Sequence, residues 1–243
     1  MKASTLYLYI AIAAALTTTG CTKKESETAP RAEGVPEVAR EAPKPFEKDK
    51  ASVRFVNAYD ANVDLFFGET KPFAAVGYKA VTPYKELRED WAQFKLRTAG
   101  KDTADPLARN IEAVSDGERY TIVALAKEDG NATLKALKDD EAPAPDKAKI
   151  RFVHVARDIG DVDVVQTGKE EPIFDGVDFN SVADYKTVDP MKGTLQIRKD
   201  NETRALARIA NVNLEAGKKY TFVITSKAKG AVEVIRLTDE PGA

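Results

Sequence analysis

The sequence is poor in the residues on which most catalytic and metal sites depend, with one cysteine, Cys21, and one histidine, His154, among 243 residues. One cysteine cannot form an internal disulfide, and these two residues cannot build a zinc site of several Cys and His ligands. Nucleophilic catalysis by Ser or Cys most often needs a histidine base, and only His154 could supply one. We therefore predict no catalytic residues, no metal centre, no cofactor and no enzymatic activity.

The chain also lacks an excess of either charge. Its 37 basic and 39 acidic residues give a formal net charge of -2, which creates no long-range field that would gather polyanions. Nucleic acid is therefore not expected as a partner. The 43% of apolar residues and 31% of charged residues are typical of a chain with a true hydrophobic core, and the length suits one or two domains.

The N-terminus carries an apolar run, Leu6 to Leu16, that is too short to cross roughly 30 Å of hydrocarbon. Such a run is typical of a secretory signal peptide. The small residues 17–20 and then Cys21 follow, an order that resembles the lipobox of bacterial lipoproteins, in which the cysteine thiol receives a diacylglycerol before the signal is removed. Thr18 stands where that motif usually has leucine. An ordinary signal peptide and a folded N-terminal helix are the alternatives.

This resemblance predicts where in the cell the protein is located and how it is anchored. We expect residues 1–20 to be a lipoprotein signal peptide and Cys21 to be the lipidation site, with acyl chains such as palmitate as the lipid anchor. Residues 21–50 are predicted to be a disordered linker, because after the cysteine they hold four prolines, seven acidic and seven basic residues. The expected location is the bacterial cell envelope, at the outer membrane if the cell has one, since Thr22 replaces the Asp typical of inner-membrane retention.

The rest of the chain repeats itself at an offset of about 100 residues, which indicates two copies of one module. The matched blocks are short and apolar, and they occur in the same order in both copies. They are residues 53–57 with 150–154, 63–65 with 162–164, 81–85 with 182–186, 94–97 with 195–198, 107–109 with 206–208, and 117–123 with 217–223.

The matched blocks predict an all-β fold. Segments such as "FKLR" and "RYTIVAL" alternate apolar with polar residues, as strands with one buried face do, and turn signals separate them. We predict antiparallel immunoglobulin-like β-sandwich modules over residues 51–140 and 148–240, with a small Greek-key barrel as the competing closure. The connection Asp139 to Lys147, "DDEAPAPDK", is predicted to join them as a semi-rigid tandem.

The repeated blocks also resemble a bacterial family, the domain of unknown function 4397. The resemblance rests on "RFVH" at 151–154, "VDV" at 162–164, "VADY" at 182–185 and "AGKKYT" at 216–221, and it extends over both copies. It implies tandem β-sandwich modules in secreted and lipid-anchored proteins, and no activity. The prolines usual in the loop after the first strand are missing in both copies.

Three residues are candidates for contact with a ligand: Trp91, Tyr84 and His154. An exposed Trp91 beside tyrosines would suit a sugar-binding surface, whereas a structural role at the end of a sandwich is the alternative. His154 is matched by Asn57, so this position folds without an imidazole and a structural role at a strand end is favoured. Tyr59 and Tyr78 could join Trp91 at such a surface.

Carboxylates after the first strand of each copy raise the possibility of calcium, which takes oxygen ligands. The two sets are Asp60, Asn62 and Asp64 in the first copy and Asp158, Asp161 and Asp163 in the second. Alternation places Asp64 and Asp163 on the solvent face, which favours surface carboxylates over a metal site.

The leading hypothesis is a non-enzymatic, lipid-anchored protein that binds or scaffolds an envelope or extracellular protein. The alternative is a carbohydrate-binding module for cell-wall or surface polysaccharide. The fold alone names no ligand for either role.

Overall fold

The computed structural model describes residues 50–88, 93–111, 114–139, 142–226 and 231–239, and within them every regular element is a β-strand. The first eight strands form one module. They are β1 (Lys50–Asn57), β2 (Val63–Phe67), β3 (Thr70–Val76), β4 (Lys85–Arg88), β5 (Gln93–Thr98), β6 (Ala108–Ile111), β7 (Arg119–Ala126) and β8 (Ala132–Lys138).

The other nine strands form the second module. They are β9 (Ala148–His154), β10 (Val162–Gln166), β11 (Pro172–Val177), β12 (Ser181–Val182), β13 (Lys186–Val188), β14 (Met191–Lys199), β15 (Ala205–Leu214), β16 (Lys219–Ser226) and β17 (Val232–Asp239). No helix of the described residues is long and apolar enough to cross a membrane.

Each module is a sandwich of two sheets. In module 1 the sheets have the orders β4-β1-β7-β8 and β3-β2-β5-β6, and in module 2 the orders β12-β9-β16-β17, with β13 also on β9, and β11-β10-β14-β15. Phe55, Leu65 and Phe94 lie in the first core, and Phe152, Leu195 and Phe222 lie in the second. The predicted all-β, two-sandwich fold is confirmed.

One strand pair in each module is parallel rather than antiparallel. β1 pairs with β7 and β9 pairs with β16 in parallel, with Phe55 opposite Ile122 and Phe152 opposite Phe222. Strand patterns carry no information on direction, because apolar alternation reads the same either way. The other pairs are antiparallel, as predicted.

The central strands of the two inner sheets are buried on both faces, which differs from the single buried face that we predict for "RYTIVAL" and its match. β7 and β16 are buried along almost their whole length. One face packs into the module's own core, and the other packs against the other module in a third apolar cluster, which we call the seam. The seam contains Val56, Ala58, Val123, Leu125, Leu137, Val153, Val155, Val223, Ile235 and Leu237.

The seam makes the two modules one four-layered body. The sheet of β1 and the sheet of β9 face each other across it, and the two remaining sheets lie outside. Fully burying a Val, Leu or Ile side chain stabilises a fold by about 1.5–3 kcal/mol, so the nine such residues of the seam hold the modules together firmly.

Candidate functional site

Four polar residues of each module meet at the seam, in equivalent positions of the two modules. Arg54 lies on β1 between Val53 and Phe55, whose side chains enter the core, so alternation points the arginine at the other module. Arg151 lies in the same way on β9. Both arginines are buried, at 4% exposure, and a buried guanidinium requires charged and hydrogen-bonded partners.

In module 1 these partners form a chain of hydrogen bonds. Arg54 Nε donates to Thr121 Oγ1 at 2.7 Å, and the Thr121 hydroxyl donates to Asp139 Oδ2 at 2.5 Å. The Tyr84 hydroxyl donates to the same oxygen at 2.9 Å. The Arg54 guanidinium lies 4.8 Å from the centroid of the Tyr84 ring, which adds a cation–π contact.

Module 2 repeats this arrangement. Arg151 Nε donates to Thr221 Oγ1 at 2.9 Å, and Thr221 donates to Asp239 Oδ2 at 2.8 Å. The Tyr185 hydroxyl donates to Asp239 Oδ2 at 3.0 Å, and its ring centroid lies 4.5 Å from the Arg151 guanidinium. We call the two sets together, Arg54, Tyr84, Thr121 and Asp139 with Arg151, Tyr185, Thr221 and Asp239, the seam network.

The ion pairs of the seam network cross between the modules. Arg54 Nη2 pairs with Asp239 Oδ1 of module 2, and Arg151 Nη2 pairs with Asp139 Oδ1 of module 1. Each arginine also donates from Nη1 to a carbonyl of the other module, Arg151 to Lys138 at 2.9 Å and Arg54 to Thr238 at 3.4 Å. The two modules therefore exchange equivalent contacts, as the subunits of a two-fold symmetric dimer do.

Burial and charge set the protonation of this cluster. Burial lowers the pKa of Arg54, but the nearby Asp239, Tyr84 and Asp139 outweigh it, so the pKa lies above its usual value. Burial raises the pKa of the phenols Tyr84 and Tyr185, and each keeps its proton to donate to an aspartate. Arg54 thus keeps its charge, and the two phenols stay protonated as hydrogen-bond donors.

In the sequence most of these residues are visible only as repeat matches, and Asp139 is predicted to belong to the connection between the modules. Asp139 is instead buried at 1% exposure and ends the inner sheet of module 1. The available signal is that Arg, Tyr and Thr recur within otherwise apolar blocks of both copies, where polar residues are costly unless they pair with one another. Tyr84, a ligand candidate, has its hydroxyl and its ring face engaged in the network.

His154 and Asn57 perform the same task at matched positions. His154 Nδ1 accepts from the Ala156 N–H at 3.3 Å, and Nε2 lies 2.8 Å from the Gly160 carbonyl. Asn57 Oδ1 accepts from the Tyr59 N–H at 3.0 Å, and Nδ2 donates to the Ala61 carbonyl at 2.8 Å. Both side chains are 0% exposed and hold the loop that follows the strand.

The expectation that Asp64 and Asp163 face solvent is wrong, because both are buried. Asp64 accepts from the Ala75 N–H at 2.6 Å, the Gly100 N–H at 3.0 Å and the Lys71 ammonium at 3.0 Å. Burial raises the pKa of Asp64, but these hydrogen bonds outweigh it and hold the pKa below its usual value.

Among the described residues, Asp163, Asp175 and Asp200 offer carboxylate oxygens within 4.8 Å of one another. Asp163 also accepts from the Gly176 N–H at 2.9 Å. Exposed acidic groups are common without a metal, and we assign none here. The other carboxylates of the calcium hypothesis, Asp158 and Asp161, do not belong to this group.

Two predicted site residues, Cys21 and Trp91, lie outside the described residues, so their roles as lipid attachment site and ligand contact stay predictions. A surface cleft of about 460 Å³ does lie where the two modules meet. It is lined by Lys127, Glu128 and Asp129 of the β7–β8 loop, and by Phe179 and Asn180 of module 2. An aromatic ring beside carboxylates and an amide is a combination that can hold a sugar.

A family model described as "Domain of unknown function (DUF4397)" matches residues 41–165. Among solved structures, the C-terminal domain of AlgF from P. aeruginosa is 14% identical, with a TM-score of 0.33, and the match covers 38% of this chain and 98% of that one. The CBM26 module of Amy13K from Eubacterium rectale, solved with maltoheptaose, is 14% identical, with a TM-score of 0.21, covering 79% of this chain and 98% of that one. No curated protein sequence matches the chain.

Proposed function

This chain belongs to the DUF4397 family, and we propose that it is a lipid-anchored protein of the cell envelope whose two-module body binds or scaffolds another protein without catalysis. We also propose that the second module is a further copy of the same family domain. The observation that carries the proposal is the seam network. Its eight polar residues join the two modules, and this supports a firm body with two outer sheet faces.

The lipid anchor rests on the order of the N-terminal segments. An apolar run, small residues, one cysteine and a polar, proline-containing linker would place the folded body at a distance from the membrane. Changing Cys21→Ser should move the protein from the membrane fraction to a soluble fraction and abolish labelling by a palmitate analogue. Membrane retention of the variant would refute the anchor.

The binding role is tested with a photo-crosslinking amino acid placed in the protein in intact cells. At least one position on the outer sheets, such as Arg109 or Arg208, should capture a partner protein reproducibly. Val223, buried in the seam, is the matched control and should capture none. Failure to capture any partner from either outer sheet would contradict the binding role.

A glycan-binding role is the second candidate, and the cleft lined by Phe179 favours it. Affinity electrophoresis against a panel of wall and surface polysaccharides should then show retardation that Phe179→Ala weakens about tenfold. Because the Phe179 ring packs against His154, with centroids 5.9 Å apart, Asp129→Ala in the opposite wall provides a second variant. Retardation that neither variant changes would contradict a sugar site in this cleft.

A further inference from the structure

One charged group in module 1 lacks hydrogen-bond acceptors. Arg97 lies on β5 and points away from the core, since its neighbour Leu96 points into it. Its Nε and Nη1 are buried without any acceptor, and the guanidinium carbon lies 5.5 Å from the centroid of the Phe66 ring. Buried donors to which nothing bonds are costly, and more so when they carry charge.

The carboxylates around Arg97 are already occupied. Asp64 is directly opposite Arg97 in the β2–β5 pairing, but its oxygens accept from two backbone N–H groups and from Lys71. Glu69 pairs with Lys95 at 2.7 Å. Within the described residues neither carboxylate bonds to Arg97 Nε or Nη1, so a ligand could supply the acceptor.

Module 2 supplies an internal comparison. Arg198 is the match of Arg97, and its Nε and Nη2 donate to Gln196 Oε1 at 3.1 and 2.9 Å. The match of Gln196 in module 1 is Lys95, an ammonium that cannot accept a hydrogen bond. The two modules thus differ at the residue that would satisfy the arginine.

The same face of module 1 also carries apolar side chains. Leu107, next to β6 and beside Arg97, is 38% exposed, and Ile111 is 68% exposed. Arg109 lies between them and points the same way, and its Nη1 donates to Gln93 Oε1 at 3.1 Å. A ligand complementary to this face needs both carboxylates and aliphatic groups, which polypeptides combine and uronic acid polymers do not.

We propose that the outer face of module 1, formed by Phe66, Arg97, Leu107, Arg109 and Ile111, binds an acidic polypeptide segment of a partner protein, with one carboxylate paired to Arg97. This inference rests on the proposed binding function and names the class of its partner. Because Nε and Nη1 are covered in the free protein, the Arg97 side chain has to rotate outwards to present these donors to the carboxylate. Apolar side chains of the segment then cover Leu107 and Ile111.

The test uses the full-length protein and three probes: a 12-residue peptide of alternating Glu and Val, the same peptide with Gln for Glu, and an oligogalacturonate of equal carboxylate number. Calorimetry should show binding of the Glu peptide that Arg97→Gln weakens at least tenfold. Arg198→Gln, the matched variant in module 2, should leave the binding within twofold of the unchanged protein. Circular dichroism checks that both variants are folded.

A second pair of variants tests the mechanism without removing Arg97. Lys95→Gln places the acceptor that module 2 has, so the guanidinium becomes satisfied internally and peptide binding should fall about tenfold. Lys95→Met removes the same charge and releases Glu69 in the same way, but it adds no amide acceptor, so it should weaken binding less than Lys95→Gln does.

Several results would overturn the inference. They are equal binding of the Gln peptide, equal losses in Arg97→Gln and Arg198→Gln, or an Arg97-dependent preference for the oligogalacturonate, which would make the ligand a glycan. In intact cells, capture of a partner from Arg208 but not from Arg109 would agree with the proposed binding function. It would show that the partner does not bind at the outer face of module 1. No capture from either position would refute both.

Discussion

At the scale of single residues, the seam network shows how polar residues can be buried at low cost. Asp139 accepts from Arg151, Tyr84 and Thr121, so its charge is balanced and its oxygens are bonded. Removing one charge of such a group leaves the other uncompensated in the interior, which is more costly than never burying the pair.

We predict that Asp139→Asn lowers the free energy of unfolding by about 3–5 kcal/mol, because the Arg151 guanidinium loses its counter-charge in a buried site. Urea denaturation followed by circular dichroism measures this. Asp102→Asn is the control, since Asp102 pairs with Lys71 at an exposed site and should cost about 1 kcal/mol or less. Equal effects of the two changes would contradict the buried role of Asp139.

The single histidine gives a second prediction at this scale. Burial lowers the pKa of His154, although the Gly160 carbonyl, Asp161 and Asp178 raise it, so the folded state resists protonation. The unfolded state takes up a proton below about pH 6.5, and stability is therefore full above that pH and falls as the pH drops below it.

His154→Asn should retain the fold, because Asn57 makes the same pair of loop contacts in module 1. When the pH falls from 7.5 to 5.5, the free energy of unfolding should decrease by about 1 kcal/mol less in this variant than in the unchanged protein. Urea titrations of both proteins at the two pH values test this. An unchanged pH dependence in the variant would mean that His154 titrates normally in the folded protein.

At the scale of elements, a bulge in each outer sheet carries a buried aspartate. Register shifts in the β2–β3 and β10–β11 pairs turn one backbone N–H towards Asp64 and towards Asp163. The residue whose N–H donates to the aspartate has a positive φ. This residue is Ala75 in module 1, with a φ of 50°, and Gly176 in module 2, with a φ of 56°. Glycine adopts this conformation freely, whereas alanine is strained in it.

Gly176→Ala should therefore destabilise the protein by about 1 kcal/mol through backbone strain alone, since no atom lies within 4 Å of the added Cβ position. Ala75→Gly, the converse change at the matched position, should be neutral or stabilising by up to about 1 kcal/mol. Thermal unfolding of the two variants measures both effects. Opposite signs to these would show that the bulge is not the controlling feature.

The sequence predicts the elements better than it predicts their surroundings. Alternation in "FKLR" and "LQIRK" correctly identifies strands β5 and β14, and the repeat identifies two sandwiches. Alternation cannot reveal that β1 and β7 run parallel, because apolar and polar residues alternate with a period of two whatever the direction of the neighbouring strand. The second buried face of β7 also depends on contacts with a distant module.

The candidate site can be predicted only in part from the sequence, because it too depends on contacts between distant segments. Arg54, Tyr84 and Thr121 are visible as repeat matches, but their convergence requires pairing between β1, β7 and the segment before β4. Asp139 sits in an acidic stretch that looks like a connection. Arg97 is unremarkable in sequence, and only the comparison of its acceptors with those of Arg198 distinguishes it.

At the scale of the whole molecule, the two modules resemble a fused dimer. Each presents an apolar inner sheet and an Arg–Asp pair that is completed by the other module. A two-fold interface of this kind is self-complementary, so either module should be able to meet a copy of itself.

We predict that residues 50–139, produced alone, form a homodimer in which Arg54 of each copy pairs with Asp139 of the other. Exposure of Val56, Val123 and Leu125 drives this association, because a monomer would leave the seam face in water. Analytical ultracentrifugation measures the mass, and Asp139→Arg should dissociate the dimer. A monomer that is stable and fully soluble at high concentration would contradict the prediction.

Two natural probes can show whether the seam joins both modules into one cooperative body. Trp91 fluorescence reports on module 1, and the proton resonances of His154 report on module 2, because each residue type occurs once. In urea, both probes should show the same midpoint, and Asp139→Asn should lower the two midpoints together. Two separate midpoints, or a shift confined to the Trp91 signal, would show that the modules unfold independently and that the seam does not couple them.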